Sequence, residues 1–191
     1  MTRDELLDLF RKSGALLDGH FRLTSGLHSP GYLQCALVLQ HPDVAERLGA
    51  AIAERVRDLR PTVVLSPALG GIVIGQEVGR ALGVRAIFAE RQDGALTLRR
   101  GFIIAETDRV LVVEDVLTTG GSTRETMQVA TAAGGRVVGA ASIVNRGSGV
   151  TFEVPYVGLL RVDLPTYEPE RCPLCAQGMP VVKPGSRPVA T

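Results

Sequence analysis

The sequence predicts an α/β fold in which a central, mostly parallel sheet is covered by helices on both faces. Three observations carry that prediction. Four short, almost continuously apolar runs (62–68, 85–91, 109–115 and 136–146) recur along the middle of the chain. Each gap between them holds either a helical pattern or a turn signal, so buried strands alternate with helices as in parallel sheets covered on both sides. The apolar residues are mainly Ala, Val, Leu and Gly, with no Trp and only 4% aromatics. Such small side chains suit close helix–sheet packing.

Composition narrows the class further. A chain of 191 residues with 45% hydrophobic and 21% charged residues fits one globular domain spanning 1–191, with a core of its own. The net charge is +1, from 21 basic and 20 acidic residues, which argues against a surface-wide electrostatic footprint for nucleic acid. Arg3, Asp4, Glu5, Asp8, Arg11 and Lys12 fall within the first twenty residues, where a secretory signal would be apolar. Charges break every apolar run well short of membrane-spanning length. Three cysteines, Cys35, Cys172 and Cys175, are too few and too odd in number for a disulfide framework, so a reducing, cytoplasmic setting is expected.

The elements follow in order. DELLDLFRKSGAL (4–16) places Leu6, Leu7, Leu9 and Phe10 on one helical face, with Gly14 as the stop. Residues 20–40 suggest short strands around a Ser-Gly and Ser-Pro-Gly turn region. Pro42 suits a first helical position, and a helix runs from there to about Leu59. The strand 62–68 leads by a turn into the helix 70–83, whose small residues face the sheet. The strand 85–91 follows. RQDGALTLRRG (91–101) carries an Asp93-Gly94 hairpin signal and predicts a short two-stranded flap. Then come the strand 109–115, a helix over 120–134, the strand 136–146 and a further strand over 155–164. The tail from Pro180 is rich in Pro and Gly and predicted to be irregular.

The chemistry concentrates in VLVVEDVLTTGGSTRET (110–126). A greasy strand is expected to end at Val113. Glu114 and Asp115 follow, and Thr118, Thr119, Gly120, Gly121, Ser122 and Thr123 lead into a helix. Ligands of open α/β sheets sit outside the carboxyl ends of strands. Glycines let the backbone wrap an anion, and hydroxyls and free N–H groups at a helix start donate to phosphate oxygens. Acids beside a phosphate cradle make sense if the ligand also presents a diol, and their charge favours a ribosyl centre that turns cationic. No Gly-Lys-Ser/Thr P-loop, G-x-G-x-x-G fingerprint or G-x-S-x-G elbow is present. The plainer reading, a polar helix cap, requires one hydroxyl rather than this whole string.

On these residues the chain resembles the type I phosphoribosyltransferases, whose phosphoribosyl-diphosphate (PRPP) signature 110–126 matches. FRLTSGLHSPGY (21–32) and IVNRG (143–147) resemble the N-terminal hood and base-site strand of the orotate branch. The resemblance implies a phosphoribosyltransferase-like fold with a hood formed mainly by 1–40 plus a C-terminal segment, and a core over about 42–165. It implies transfer of ribose 5-phosphate from PRPP to orotate, giving orotidine 5′-phosphate and diphosphate in pyrimidine biosynthesis, by a homodimer. Under it, Glu114 and Asp115 are catalytic and bind the ribose hydroxyls. Val116, Leu117, Thr118, Thr119, Gly120, Gly121 and Ser122 complete the PRPP site, and Thr118 and Arg146 bind orotate. Mg²⁺ arrives with PRPP, without direct protein ligands, and meets Glu114 and Asp115 through water. Ser66 to Gly71 form the pyrophosphate loop. Arg91 is the candidate catalytic pyrophosphate contact, and Arg99 and Arg100 the candidates for flap closure. The chain departs from better-known orotate enzymes in lacking a Lys near Thr24, a Tyr-Lys pair at Leu69-Gly70 and a Lys- and His-rich flap.

Other residues carry plainer expectations. Cys172-Pro-Leu-Cys175 offers half of a four-ligand zinc set, so a structural pair or incidental thiols is the expectation, with completion across a dimer as the alternative. Cys35 reads as a core residue and His28 as a turn hydrogen-bonding group, while His20 and His41 are scattered. Two other functions stay open: a purine phosphoribosyltransferase, or a PRPP-sensing regulator that binds nucleic acid. No nucleic acid or membrane partner is expected.

Overall fold

The computed structural model describes residues 1–23, 26–147 and 149–183. Six strands form the main sheet: β3 (Val63–Pro67), β4 (Arg85–Gln92), β5 (Ala95–Leu98), β6 (Arg109–Leu117), β7 (Arg136–Asn145) and β8 (Tyr156–Arg161). Their order is β5-β4-β3-β6-β7-β8, parallel throughout except for the antiparallel β4–β5 pair. A separate hairpin, β1 (Leu16–Arg22) and β2 (His28–Leu33), stands apart from this sheet.

Alternation along the strands divides the core in two. Leu111 and Val113 of β6 join a cluster with Leu6 and Phe10 of α1 (Arg3–Lys12), Leu48 and Ile52 of α3 (Pro42–Val56), and Ile74 and Val78 of α4 (Gly70–Leu82). Val110 and Val112 point the other way, to Val63, Leu65 and Ala130 beneath α5 (Gly121–Ala132). Successive side chains on a strand face opposite sides, so β6 is greasy on both faces. Most of these side chains are wholly buried, each stabilising the fold by about 1.5–3 kcal/mol. The small residues of α4 face the sheet as expected. A Cβ on Gly75 would lie 2.1 Å from Ser66 Oγ, and one on Gly79 2.9 Å from Ala86 Cβ.

Several boundaries differ from the sequence reading. The first helix begins at Arg3 because Thr2 and Glu5 form a reciprocal capping box, and it ends before Gly14, whose φ of +67° the left-handed turn requires. Within 20–40 only the hairpin is extended. ALVL turns instead into a short helix, α2 (Ala36–Leu39), which buries Val38 and Leu39. The hairpin at Asp93-Gly94 forms as predicted, and its second strand packs onto the main sheet. Leu96 is buried in the α5-side core and its backbone N–H donates to Glu125 at 2.8 Å, making β5 the edge of the main sheet. The strand expected to end at Val113 continues to Leu117, because Val116 and Leu117 keep pairing with Val144 and Asn145. Of the tail, Val182 pairs with Phe21 of β1; residues 184–191, like Thr24, lie outside the described residues.

Candidate active site

Because β6 runs on to Leu117, Glu114 and Asp115 sit within the strand and inherit its alternation. Glu114 faces α5, where Ser122 Oγ donates to it at 2.6 Å and the Thr123 hydroxyl donates to its other oxygen. It is 8% exposed. Burial raises its pKa and the charge of Asp115 adds to that, while the two hydroxyl hydrogen bonds act the other way. Asp115 faces the α4 side. Its carboxylate lies against Gly70, where a Cβ would meet Oδ2 at 2.7 Å and Oδ1 at 2.8 Å. Only glycine therefore lets the turn after β3 approach this acid. Burial raises the Asp115 pKa as well, opposed by the Val116 N–H, which donates to Oδ1 at 2.9 Å.

The turn from β3 to α4 is the predicted pyrophosphate loop, 66–71. It contains a cis peptide between Ala68 and Leu69. Leu69, Gly70 and Val73 share a cavity of about 380 Å³ with Gln34 and Asp115. The loop and the second acid thus come together although 45 residues separate Gly70 from Asp115.

Past Leu117 the chain bends through Thr118 and Thr119, both exposed, and Gly120 at φ +77° into α5. The string of hydroxyls does not act as a helix cap. Gly120 occupies the cap position without a side chain, and Ser122 and Thr123 spend their hydroxyls on Glu114. The N–H groups of the first turn of α5 are therefore left for an anion. Arg124 braces the outside of the bend, donating to the Thr119 carbonyl at 3.0 Å and to the Thr151 carbonyl at 3.0 Å.

On the other side of the bend lies a cavity of about 840 Å³, lined by Thr118, Thr119, Arg146, Gly147, Tyr32 and the apolar residues Leu23, Leu27 and Leu164 among others. The Arg146 backbone N–H donates to the Leu117 carbonyl at 2.8 Å, which fixes the end of β7 to the bend. Its Nε is buried and has no hydrogen-bond partner, and no carboxylate pairs with it among the described residues. Burial pulls this guanidinium below its ordinary pKa, the neighbouring Tyr32 acting the other way. An uncompensated, half-buried cation beside an anion cradle is costly unless a ligand completes it.

These features match a family. Residues 36–159 fit the phosphoribosyl transferase domain, and the chain is 55% identical to an orotate phosphoribosyltransferase of Heliobacterium modesticaldum over 190 residues, 98% of this chain and all of that one. The chain belongs to the orotate phosphoribosyltransferase family. A second relative, from Pelotomaculum thermopropionicum, is 55% identical over 99% of this chain and 100% of its own length. Among solved structures, a Mycobacterium tuberculosis orotate phosphoribosyltransferase superposes with a TM-score of 0.70 at 25% identity, covering 84% of this chain and 96% of that one. Another crystal of that enzyme, in complex with PRPP, gives 0.66 at 26% identity over 83% and 95%.

Within this orotate phosphoribosyltransferase-family fold, the predicted site residues fall into three groups. Asp115 with 66–71, the bend 116–122, and Thr118 with Arg146 are brought together. Glu114 is adjacent but turned under α5. Arg91 is engaged elsewhere: its guanidinium pairs with Glu125 at 2.7 Å and reaches the Gly94 carbonyl. Arg100, expected at a closing flap, pairs with Glu90 at 2.7 Å, while Arg99 is exposed. Tyr32 and Gly70 line these two cavities, and the sequence does not single out either individually. The abrupt Leu-Gly-Gly after an apolar strand was the available signal for Gly70, and the hood segment FRLTSGLHSPGY, which ends at Tyr32, was that for Tyr32.

Proposed function

We propose that the chain transfers the ribose 5-phosphate of PRPP to orotate, releasing diphosphate and orotidine 5′-phosphate, in pyrimidine biosynthesis. The observation that carries this reading is Arg146, whose buried Nε has no partner among the described residues and whose guanidinium lines the 840 Å³ cavity beside Thr118 and Thr119. Its planar donors suit the orotate carboxylate, and apolar Leu27 and Leu164 suit the ring. Relatives sharing more than half their residues carry the name of this activity.

In this proposal the bend Thr118 to Ser122 holds the 5′-phosphate through backbone N–H groups, with Val116 and Leu117 setting its start. Asp115 accepts hydrogen bonds from the ribose hydroxyls and places the sugar between the 66–71 loop and the base cavity. Glu114 holds the bend in shape through Ser122 and Thr123, and its charge lies behind the sugar. The bond from C1 to the pyrophosphate oxygen breaks with its electron pair going to pyrophosphate, and N1 of orotate bonds to C1 while its proton passes to solvent or pyrophosphate. Positioning and the exclusion of water supply the catalysis, with no protein nucleophile. The negative Asp115 stabilises the cationic sugar. The residues fit Mg²⁺ carried by PRPP, since the Asp115 carboxylate and Gln34 amide on that cavity are hard oxygen donors; when bound, the ion offsets charge on the departing pyrophosphate. Arg91 reaches pyrophosphate only by leaving Glu125. A cytoplasmic homodimer completes the proposal; no helix among the described residues is long and apolar enough to cross a membrane.

The test is a panel of bases at fixed PRPP and Mg²⁺. Orotate consumption with stoichiometric pyrophosphate is expected. Turnover of adenine or hypoxanthine with none of orotate would overturn the proposal, and PRPP binding without any product, together with salt-sensitive nucleic-acid binding, would favour a regulator.

A further inference from the structure

The sequence leaves Cys172 and Cys175 as half a zinc set, and the fold supplies the other half. His20 on β1 and His28 at the start of β2 stand against the Cys172-Pro-Leu-Cys175 turn, with one donor atom from each of the four residues lying within 4.8 Å of all the others. His20 is 155 residues from Cys175 in the chain, which is why spacing alone hides the group. The hairpin ladder is interrupted between Asp18 and Phe21, and His20 sits in that interruption, the kind of irregularity that re-aims a side chain.

Three of the donor separations are those of a tetrahedral centre, the histidine nitrogens stand somewhat closer, and the whole group lies within 4.8 Å. Bonds of about 2.0 Å to nitrogen and 2.3 Å to sulfur separate neighbouring donor atoms by about 3.3–3.8 Å. Here His20 Nε2 lies 2.9 Å from His28 Nδ1, 3.5 Å from Cys172 Sγ and 3.8 Å from Cys175 Sγ, and His28 Nδ1 lies 3.3 Å from Cys175 Sγ. The His20 ring is also oriented from behind. Its Nδ1 lies 2.8 Å from the Met179 carbonyl, which can only accept, so Nδ1 carries the proton and Nε2 presents its lone pair to the group. Three neighbours then crowd one lone pair, more than hydrogen bonding can satisfy. Three of the four residues are buried, and only Cys175 is exposed.

We propose that His20, His28, Cys172 and Cys175 bind one structural Zn²⁺. Two thiolates and two neutral imidazoles around a divalent ion sum to zero charge, which allows burial without an unpaired ion. On binding, each cysteine forms its sulfur–metal bond and its thiol proton goes to solvent. Thiolate ligands select Zn²⁺ over the Mg²⁺ that PRPP carries. The ion fastens the β1–β2 hairpin to the C-terminal segment. Backbone pairing already joins them at His28–Tyr167 and Phe21–Val182. That hairpin carries Tyr32 into the 840 Å³ cavity, so the metal holds one wall of the base site in place without touching substrate.

The full-length protein, produced in zinc-supplemented medium and gel-filtered, is expected to retain about one Zn²⁺ per chain by elemental analysis. Replacing it with Co²⁺ is expected to give the intense visible bands of a tetrahedral, thiolate-bound ion. Cys175→Ser removes an exposed ligand and so tests the site with little risk to folding. It is expected to lose most of the metal and the thiolate-to-cobalt band, and the melting temperature of the wild type, but not of this variant, is expected to fall on chelation. A folded wild type with less than about a tenth of an equivalent of zinc would overturn the proposal. So would a Cys172–Cys175 disulfide found by mass analysis, or a full equivalent of zinc retained by both Cys175→Ser and His28→Gln.

Discussion

Glu114 and Asp115 are adjacent in the chain, yet they occupy different chemical worlds. On the α5 side, Glu114 is nearly sealed and both of its oxygens are satisfied by hydroxyls from the helix start. On the α4 side, Asp115 opens onto a cavity beside Gly70, and among the described residues its carboxylate is met only by its own backbone and the Val116 N–H. Both acids are buried enough for their pKa values to rise. The difference is that the fold has already met the needs of one and has left those of the other for a ligand. A partly buried carboxylate met by no side-chain donor is a cost that a binding site accepts and a scaffold avoids. Under the proposed function, that contrast puts Asp115 on the sugar and Glu114 behind the loop that holds the phosphate.

Substitutions can break or sharpen that contrast. The largest effect belongs to Asp115→Asn, which keeps shape but removes charge and one acceptor. Its kcat/KM for PRPP is expected to fall about 100-fold or more in steady-state assays, since one hydrogen bond to the diol is lost and any other loses its charge assistance. Arg146→Ala comes next. The orotate KM is expected to rise about 30-fold while the PRPP KM stays within about twofold; an equal rise in both would remove Arg146 from the base site. Glu114→Gln keeps an acceptor for one hydroxyl and loses the other, so a drop of only about tenfold in PRPP use is expected. The smallest effect has the opposite sign. A carboxyl whose pKa is raised on folding destabilises the protein where it is ionised, and the penalty disappears as pH falls through its folded pKa. Asp115→Asn is therefore expected to melt slightly above the wild type at neutral pH. The gap should close as the pH enters the carboxylate range. A variant that melts lower at neutral pH would show that Asp115 serves the fold.

How much of this was legible depended on how locally each feature is written. The strand–helix alternation from 62 to 146 could be read because each buried strand and each amphipathic helix states its own period. The bend 118–122 could be read because its glycines and hydroxyls are contiguous. The division between Glu114 and Asp115 was also implicit in strand alternation, but only once β6 was known to continue to Leu117, and that depends on pairing with β7. Where the hairpin sits was less legible for a related reason. Asp93-Gly94 signals a hairpin, but nothing local says that Leu96 will bury itself in the main core. Arg91 was assigned by its position before the flap, while its partner Glu125 comes from a helix 34 residues later. The His20, His28, Cys172 and Cys175 group is the extreme case: two residues at each end of the chain, joined only by topology.

The most direct measurement is a side-by-side calorimetric titration of PRPP with Mg²⁺ into the wild type, Asp115→Asn and Glu114→Gln, all without orotate. A loss of affinity for Asp115→Asn at least about tenfold greater than for Glu114→Gln is the result predicted from the two faces of β6. Equal losses, or a greater loss for Glu114→Gln, would contradict it.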